Sequence, residues 1–118
     1  MTKKRILLVE DDKFLLTALR EVFVESDLDL TVAQDGVKGL DLINKGGYDL
    51  ILLDLIMPAL NGFEVLAKAR KDTPIIVFSN LEDEENKEKA MGLGAKKYFV
   101  KSEIDIGRFI NDITRELQ

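Results

Sequence analysis

The stretch DLILLDLIMPALNGFEVL, Asp49 to Leu66, decides the fold. Leu50 to Leu53 is an unbroken apolar run, and it ends in Asp54. A short apolar run bounded by polar residues reads as a strand buried on both faces, as central strands of parallel sheets are. Pro58 and Gly62 bracket a loop after it. A helix is predicted from about Phe63 to Lys71, with Phe63, Leu66 and Ala67 inward. A carboxylate at the end of a wholly apolar strand is poorly explained as a solvated surface residue.

The same unit recurs on either side. Toward the N-terminus, Ile6 to Val9 is a second apolar run. Leu15, Leu19, Val22 and Phe23 follow at helical spacing, with Asp12 as an N-cap. Leu28 to Ala33 alternates and reads as a strand with one wetter face. Asp35-Gly36 is a turn, and a short helix through Val37, Leu40 and Ile43 stops at Gly46-Gly47. Toward the C-terminus, Pro74 precedes the apolar strand Ile75 to Phe78, which ends at Ser79. Glu82 to Lys89 is almost all charged and is expected to be an exposed helix, anchored late by Ala90, Met91 and Leu93. Tyr98 to Val100 is a fifth strand, ending at Lys101. Ile106, Phe109, Ile110, Ile113 and Leu117 mark an amphipathic last helix.

Five strand–helix units in a row imply an α/β fold: a parallel sheet with helices on both faces. Right-handed crossovers leave few topologies, and the flavodoxin-like strand order 2-1-3-4-5 is expected. There is no internal repeat, linker or low-complexity tract. Residues 1–118 are expected to form one domain, with no second domain after the last helix.

Composition narrows the chemistry. The chain has no cysteine and no histidine, which excludes disulfides, thiolate metal sites, Cys nucleophiles and Ser-His triads. Nucleophilic or metal chemistry must use carboxylates, hydroxyls and lysines. With 17 basic and 22 acidic residues the net charge is −5, which argues against direct nucleic-acid binding. No apolar run approaches the ~18 residues of a membrane span, and no signal-peptide pattern appears. A cytoplasmic protein without a membrane partner is the expectation.

The polar residues at the strand ends carry the functional reading. Glu10, Asp11 and Asp12 follow the first strand, Asp54 the third, Ser79 the fourth and Lys101 the fifth. In a parallel sheet these all fall on one edge, where open α/β folds place ligands. Glu10, Asp11 and Asp54 would crowd three carboxylates. Each like-charged pair ~4 Å apart costs about 4 kcal/mol at an effective dielectric of 20. Lys101 offsets part of this. A hard divalent cation offsets more, and an all-oxygen site suits Mg²⁺. Mg²⁺ held by carboxylates, beside a lysine and a hydroxyl, points to phosphoryl transfer onto a carboxylate.

At this point the sequence resembles the receiver domains of two-component response regulators. The resemblance rests on ILLVEDD at Ile6 to Asp12, DLILLDLIMPALNGFEVL at Asp49 to Leu66, IIVFSN at Ile75 to Asn80 and GAKKYFVK at Gly94 to Lys101. Together these cover essentially the whole chain, and Asp54-x-x-Met57-Pro58-x-x-x-Gly62 is the most telling piece. The resemblance implies that Asp54 is the phosphoacceptor. It implies that Asp11, Asp54 and the backbone carbonyl of Ile56 hold Mg²⁺ (or Mn²⁺), with Glu10 acting directly or through water. Ser79 and Lys101 would contact the phosphoryl group. Ser79 and Tyr98 would form the switch, changing the surface around the fourth helix, fifth strand and last helix. The donor would be a histidine kinase or histidine phosphotransfer protein. The chain would assist its own phosphorylation and dephosphorylation rather than act as an enzyme on a separate substrate. It would be a monomer or a weak phosphorylation-dependent dimer.

Three departures from the family pattern involve four residues. Ser102 stands where a proline usually follows the lysine, so a trans bond and a differently shaped loop are expected. Asn80 stands where a small residue is usual and would crowd the phosphoryl site. Ile56 and Leu81 are apolar where side chains influence water attack, so slow self-dephosphorylation is expected. Beside these readings stand plainer ones: Asp12 as a helix cap only, Tyr98 as a packed strand residue, Glu82 to Lys89 as a solvated face. The competing functions are a phosphorylation-independent receiver-like scaffold, a small-molecule phosphatase and a flavin carrier. The short loops supply no lid for the second, and Glu10-Asp11-Asp12 has the wrong charge for the third.

Overall fold

The structure, a computed structural model, describes residues 3–118. Its strands are β1 (Lys4–Val9), β2 (Leu28–Ala33), β3 (Leu50–Leu53), β4 (Ile75–Ser79) and β5 (Lys97–Val100). Its helices are α1 (Lys13–Val24), α2 (Gly36–Lys45), α3 (Gly62–Lys68), α4 (Glu84–Gly92) and α5 (Ile106–Glu116). A single 3₁₀ turn, Lys101–Glu103, follows β5. The strands are parallel and lie in the order β2-β1-β3-β4-β5, as the βα repetition requires.

Strand alternation divides the core. Leu7, Val9, Ile51, Leu53, Ile75 and Val77 point to the side covered by α2, α3 and α4. Ile6, Leu8, Leu50, Leu52, Ile76 and Phe78 point to α1 and α5, where Phe109 packs edge-on to Phe99. β1, β3 and β4 are buried on both faces from Ile6 onward, which is why their sequences are continuous apolar runs. β2 is an edge strand, and only Ala33 in it is fully buried.

Because every helix follows a strand, the helix N-termini gather on the C-terminal edge of the sheet. Asp12 Oδ1 accepts from the N–H groups of Phe14 (2.9 Å) and Leu15 (3.2 Å), so its expected cap role holds. Asp35 caps α2 through Lys38 N–H at 2.8 Å, Asn61 caps α3 through Glu64 N–H at 3.0 Å, and Asp105 caps α5 through Gly107 N–H at 2.9 Å.

Three sequence expectations need correction. The third helix ends at Lys68, not Lys71, because Lys71 folds back and its ammonium bonds the carbonyls of Leu66 and Ala69. Its buried stripe is Gly62, Val65, Leu66 and Ala69; Ala67 faces solvent. The close approach of Gly62 to the end of β3 fixes the rotation of that helix. The charged helix begins at Glu84 rather than Glu82. It reaches the core through Ala90, with Leu93 partly buried, while Met91 is 45% exposed.

Candidate functional site

The ladder continues one residue past β1 and β3. Glu10 N–H donates to Ala33 O (2.9 Å) and Asp54 N–H to Val9 O (3.0 Å). This draws both carboxyl groups into the sheet edge. Glu10 is 0% exposed, Asp54 3% and Ser79 0%, whereas Asp11 is exposed. Adjacent residues at a strand end point in opposite directions, so Glu10 turns inward and Asp11 outward. Glu10, Asp11 and Asp54 each offer an oxygen within 4.8 Å of the others.

Lys101, at the start of the 3₁₀ turn, reaches across to both buried acids. Its ammonium lies 2.8 Å from Glu10 Oε1, 3.2 Å from Asp54 Oδ2 and 5.2 Å from the centre of the Phe78 ring. Glu10 Oε1 also accepts from Asp12 N–H at 3.2 Å, and Asp54 Oδ1 from Ile56 N–H at 3.3 Å. Glu10 Oε2 is buried without a partner. Ser79 Oγ accepts from Leu81 N–H at 3.2 Å. The Tyr98 hydroxyl donates to Leu81 O at 2.7 Å, so this tyrosine is tied to the loop after β4.

One lysine does not balance two buried acids and a third at the rim. Burial, aided by the charge of Asp54, pushes the Glu10 carboxyl up to about 7 against the hydrogen bond from Lys101. Burial likewise raises Asp54, opposed by the Lys101 charge. Burial alone would lower Lys101, but its bond to Glu10 and the charge of Asp54 outweigh that and raise it.

A stability prediction follows. A carboxyl raised on folding binds its proton more tightly in the native state, so its stabilisation is full below the ordinary value of about 4.5 and is lost as pH rises through about 7. Without divalent ions, the protein is expected to lose on the order of 2 kcal/mol between pH 5 and pH 8. Glu10→Gln should flatten that slope, and millimolar Mg²⁺ should too. Urea midpoints at the two pH values measure this; equal slopes in parent and variant would contradict it.

The structure therefore brings together Glu10, Asp11, Asp54, Ser79 and Lys101, from the ends of four strands. Ile56, whose N–H donates to Asp54 Oδ1, lies at the rim and is 57% exposed. The Lys101–Ser102 bond is trans, as expected without proline, and Ser102 Oγ donates to Glu82 Oε1 at 3.2 Å. No sequence pattern signals that contact between residues 20 positions apart.

The chain belongs to the response regulator receiver domain family, whose model matches residues 6–114. It is 35% identical over 104 residues to the transcriptional regulatory protein YkoG of Bacillus subtilis, covering 86% of this chain and 46% of that protein. The chain thus spans about half the length of the curated relatives it matches. The receiver domain of the Francisella response regulator 1452 is 34% identical with a TM-score of 0.88, covering 98% of this chain and 97% of that one. The receiver domain of the Pseudomonas aeruginosa sensor histidine kinase PA1611 has a magnesium ion coordinated in its active site cleft. It shares the fold at a TM-score of 0.85 and 21% identity, with 98% of both chains covered. Receiver domains are the phospho-acceptors of two-component signalling and bind Mg²⁺ at an acidic pocket. No helix among the described residues is long and apolar enough to cross a membrane.

Proposed function

We propose that this chain is a phospho-accepting receiver in which Asp54 takes a phosphoryl group from a phosphohistidine protein. The observation that carries this is the burial of two acids, Glu10 and Asp54, against one lysine, with exposed Asp11 beside them. Such an arrangement is costly unless a cation and a phosphoryl group complete it.

The donor set fits Mg²⁺: three carboxylates converge, all oxygen, and Glu10 Oε2 lacks a partner. Asp11, Asp54 and the backbone carbonyl of Ile56 would hold the ion, with Glu10 acting directly or through water. Bound there, Mg²⁺ supplies charge neutralisation for the phosphoryl oxygens.

The chain's own groups do the rest. An Asp54 carboxylate oxygen bonds to phosphorus as the bond from phosphorus to the donor nitrogen breaks, and the electron pair leaves with the imidazole. Lys101 transfers its contact from the carboxylates to a phosphoryl oxygen. The Ser79 hydroxyl, whose oxygen already accepts from Leu81 N–H, donates its proton to another. These new contacts bias a two-state equilibrium, read out through Tyr98 and the face formed by α4, β5 and α5. In this reading residues 1–118 are one receiver domain acting in the cytoplasm. Its donor is a histidine kinase or histidine phosphotransfer protein.

A phosphorylation-independent scaffold is the second reading. It is favoured by one observation: the Tyr98 hydroxyl is tied to Leu81 O at 2.7 Å, a contact that itself needs no group on Asp54. One experiment separates the two. Incubation with Mg²⁺ and acetyl phosphate should add one phosphate to the intact mass, and beryllofluoride should shift the amides near Asp54, Ser79 and Lys101. An unchanged mass together with unchanged spectra would leave the scaffold.

Ile56 is exposed and Leu81 partly buried, and in this reading their apolar side chains limit the access of water to a group on Asp54. Self-dephosphorylation is therefore expected to take minutes or longer after the donor is removed. A half-life of seconds, followed by intact mass, would overturn that expectation.

A further inference from the structure

The groups proposed to close on the phosphoryl oxygens sit where two separate loops begin. Ser79 is the last residue of β4, just before the segment that leads to α4, and Lys101 begins the 3₁₀ turn after β5. Leu81 is held from both sides, its N–H by Ser79 Oγ and its carbonyl by the Tyr98 hydroxyl. The next residue, Glu82, accepts from Ser102 Oγ at 3.2 Å, and Ser102 adjoins Lys101. Lys101 in turn reaches Asp54 Oδ2 at 3.2 Å. A connected chain of contacts thus runs from Ser79 through Leu81, Glu82, Ser102 and Lys101 to Asp54.

A purely structural role explains little of the Ser102–Glu82 contact. Both residues are exposed, and an exposed bond of this kind adds little to folding stability. Glu82 does not cap α4, since the N-cap is Asp83 and the helix starts at Glu84. What the contact does set is the spacing of the two loops.

We infer that Ser102 and Glu82 are positioning residues, whose hydrogen bond holds the Ser79 loop and the Lys101 turn at the separation that one phosphoryl group requires. This rests on the reading of Asp54 as acceptor. Pre-set loops lower the cost of closing both donors on the same group. Glu82 also brings a negative charge, which by itself disfavours an incoming anion. The two effects have opposite signs and can be separated, because Gln keeps the accepting oxygen and loses the charge.

The test is an amide NMR titration of the whole chain with beryllofluoride at saturating Mg²⁺. The proteins are the parent, Ser102→Ala, Ser102→Thr, Glu82→Ala, Glu82→Gln and the double alanine variant. The loss of one exposed hydrogen bond should weaken binding about two- to threefold in Ser102→Ala, and by less in Glu82→Ala, where the lost negative charge acts the other way. The double variant should be no weaker than the worse single one. Ser102→Thr should stay near the parent, and Glu82→Gln should bind at least as tightly. Urea midpoints and Mg²⁺ affinity without beryllofluoride should not change, because neither residue belongs to the core or the ligand set. Parent-like binding by Ser102→Ala overturns the inference, as does tighter binding by Glu82→Ala and Glu82→Gln alike. A parent that fails to respond overturns the phospho-acceptor reading and the inference with it. A responsive parent with unaffected variants overturns the positioning role alone.

Discussion

Replacing Asp54 with Asn is expected to abolish phosphoryl incorporation from acetyl phosphate, a loss on the order of 10³-fold or more. The amide keeps the shape of the side chain but is not a nucleophile, and no other group in the site is equivalent. Glu10 is 0% exposed, with Oε1 shared by Lys101 and the Asp12 N–H and Oε2 buried, so it offers a donor no open oxygen. Asp11 is exposed but does not pair with Lys101, and Ser79 Oγ is engaged by Leu81 N–H. The same substitution is expected to raise the urea midpoint of the metal-free protein. Burial penalises the charged Asp54, and its negative charge also works against the neighbouring Glu10 carboxylate. Lys101 would keep its 2.8 Å partner, Glu10 Oε1, so the lysine is not stranded. Gain of stability with loss of phosphate uptake is a combination that a general folding defect cannot produce. If Asp54→Asn still gains a phosphate, the acceptor is elsewhere, and Asp11, as the exposed member of the cluster, would be examined first by fragment mass spectrometry.

The path from sequence to site was short because the fold writes it as punctuation. The strands β1, β3 and β4 each hold a run of apolar residues, and the first polar residue after that run marks the ligand edge. Strand-end position is enough to place Asp54, Ser79 and Lys101 together, since parallel strands end on one side. The different fates of Glu10 and Asp11 were not legible. They are neighbours with the same charge. Which one turns inward depends on the register that carries Glu10 N–H to Ala33 O, a contact made across the sheet. The helix after β3 was legible in part: Leu66 is buried and Phe63 packs against the core, but Ala67 is exposed, for a related reason. Phe63, Leu66 and Ala67 fit a helical period as well as Val65, Leu66 and Ala69 do. Period alone leaves the rotation of a short helix free, and the close approach at Gly62 selects it. The charged helix α4 is the converse case: nearly all its residues are polar, so one alanine, Ala90, sets its seat on the core. The Ser102–Glu82 and Tyr98–Leu81 contacts lie outside any periodicity, because they join loops whose spacing only the assembled sheet defines.

That dependence on close approach gives a large expected effect on stability at Gly62. It opens α3, is buried, and donates its N–H to Leu55 O at 2.8 Å. A Cβ there would overlap the carbonyl oxygen of Asp54 and the Cα of Leu55, with the Asp54 carbonyl carbon 3.0 Å away. These are backbone atoms at the end of the central strand, not side-chain tips that could swing aside. Gly62→Ala is therefore expected to cost about 3 kcal/mol or more, in the range of overpacked cores. The relief must come from moving either α3 or the Asp54 backbone, so Mg²⁺ affinity should fall in whatever fraction still folds. Gly92→Ala is the matched control. It lies at the end of α4 with open space around the added methyl, and it should be neutral or stabilise by up to about 1 kcal/mol. Urea unfolding of the two variants and a Mg²⁺ titration decide the matter. A Gly62→Ala protein as stable as its parent would mean that the loop from Leu55 to Asn61 yields without strain. In that case the position of Asp54 would rest on Lys101 and the sheet alone. A destabilised protein with weakened Mg²⁺ binding would mean that the helix after β3, through one missing side chain, holds the acceptor in place.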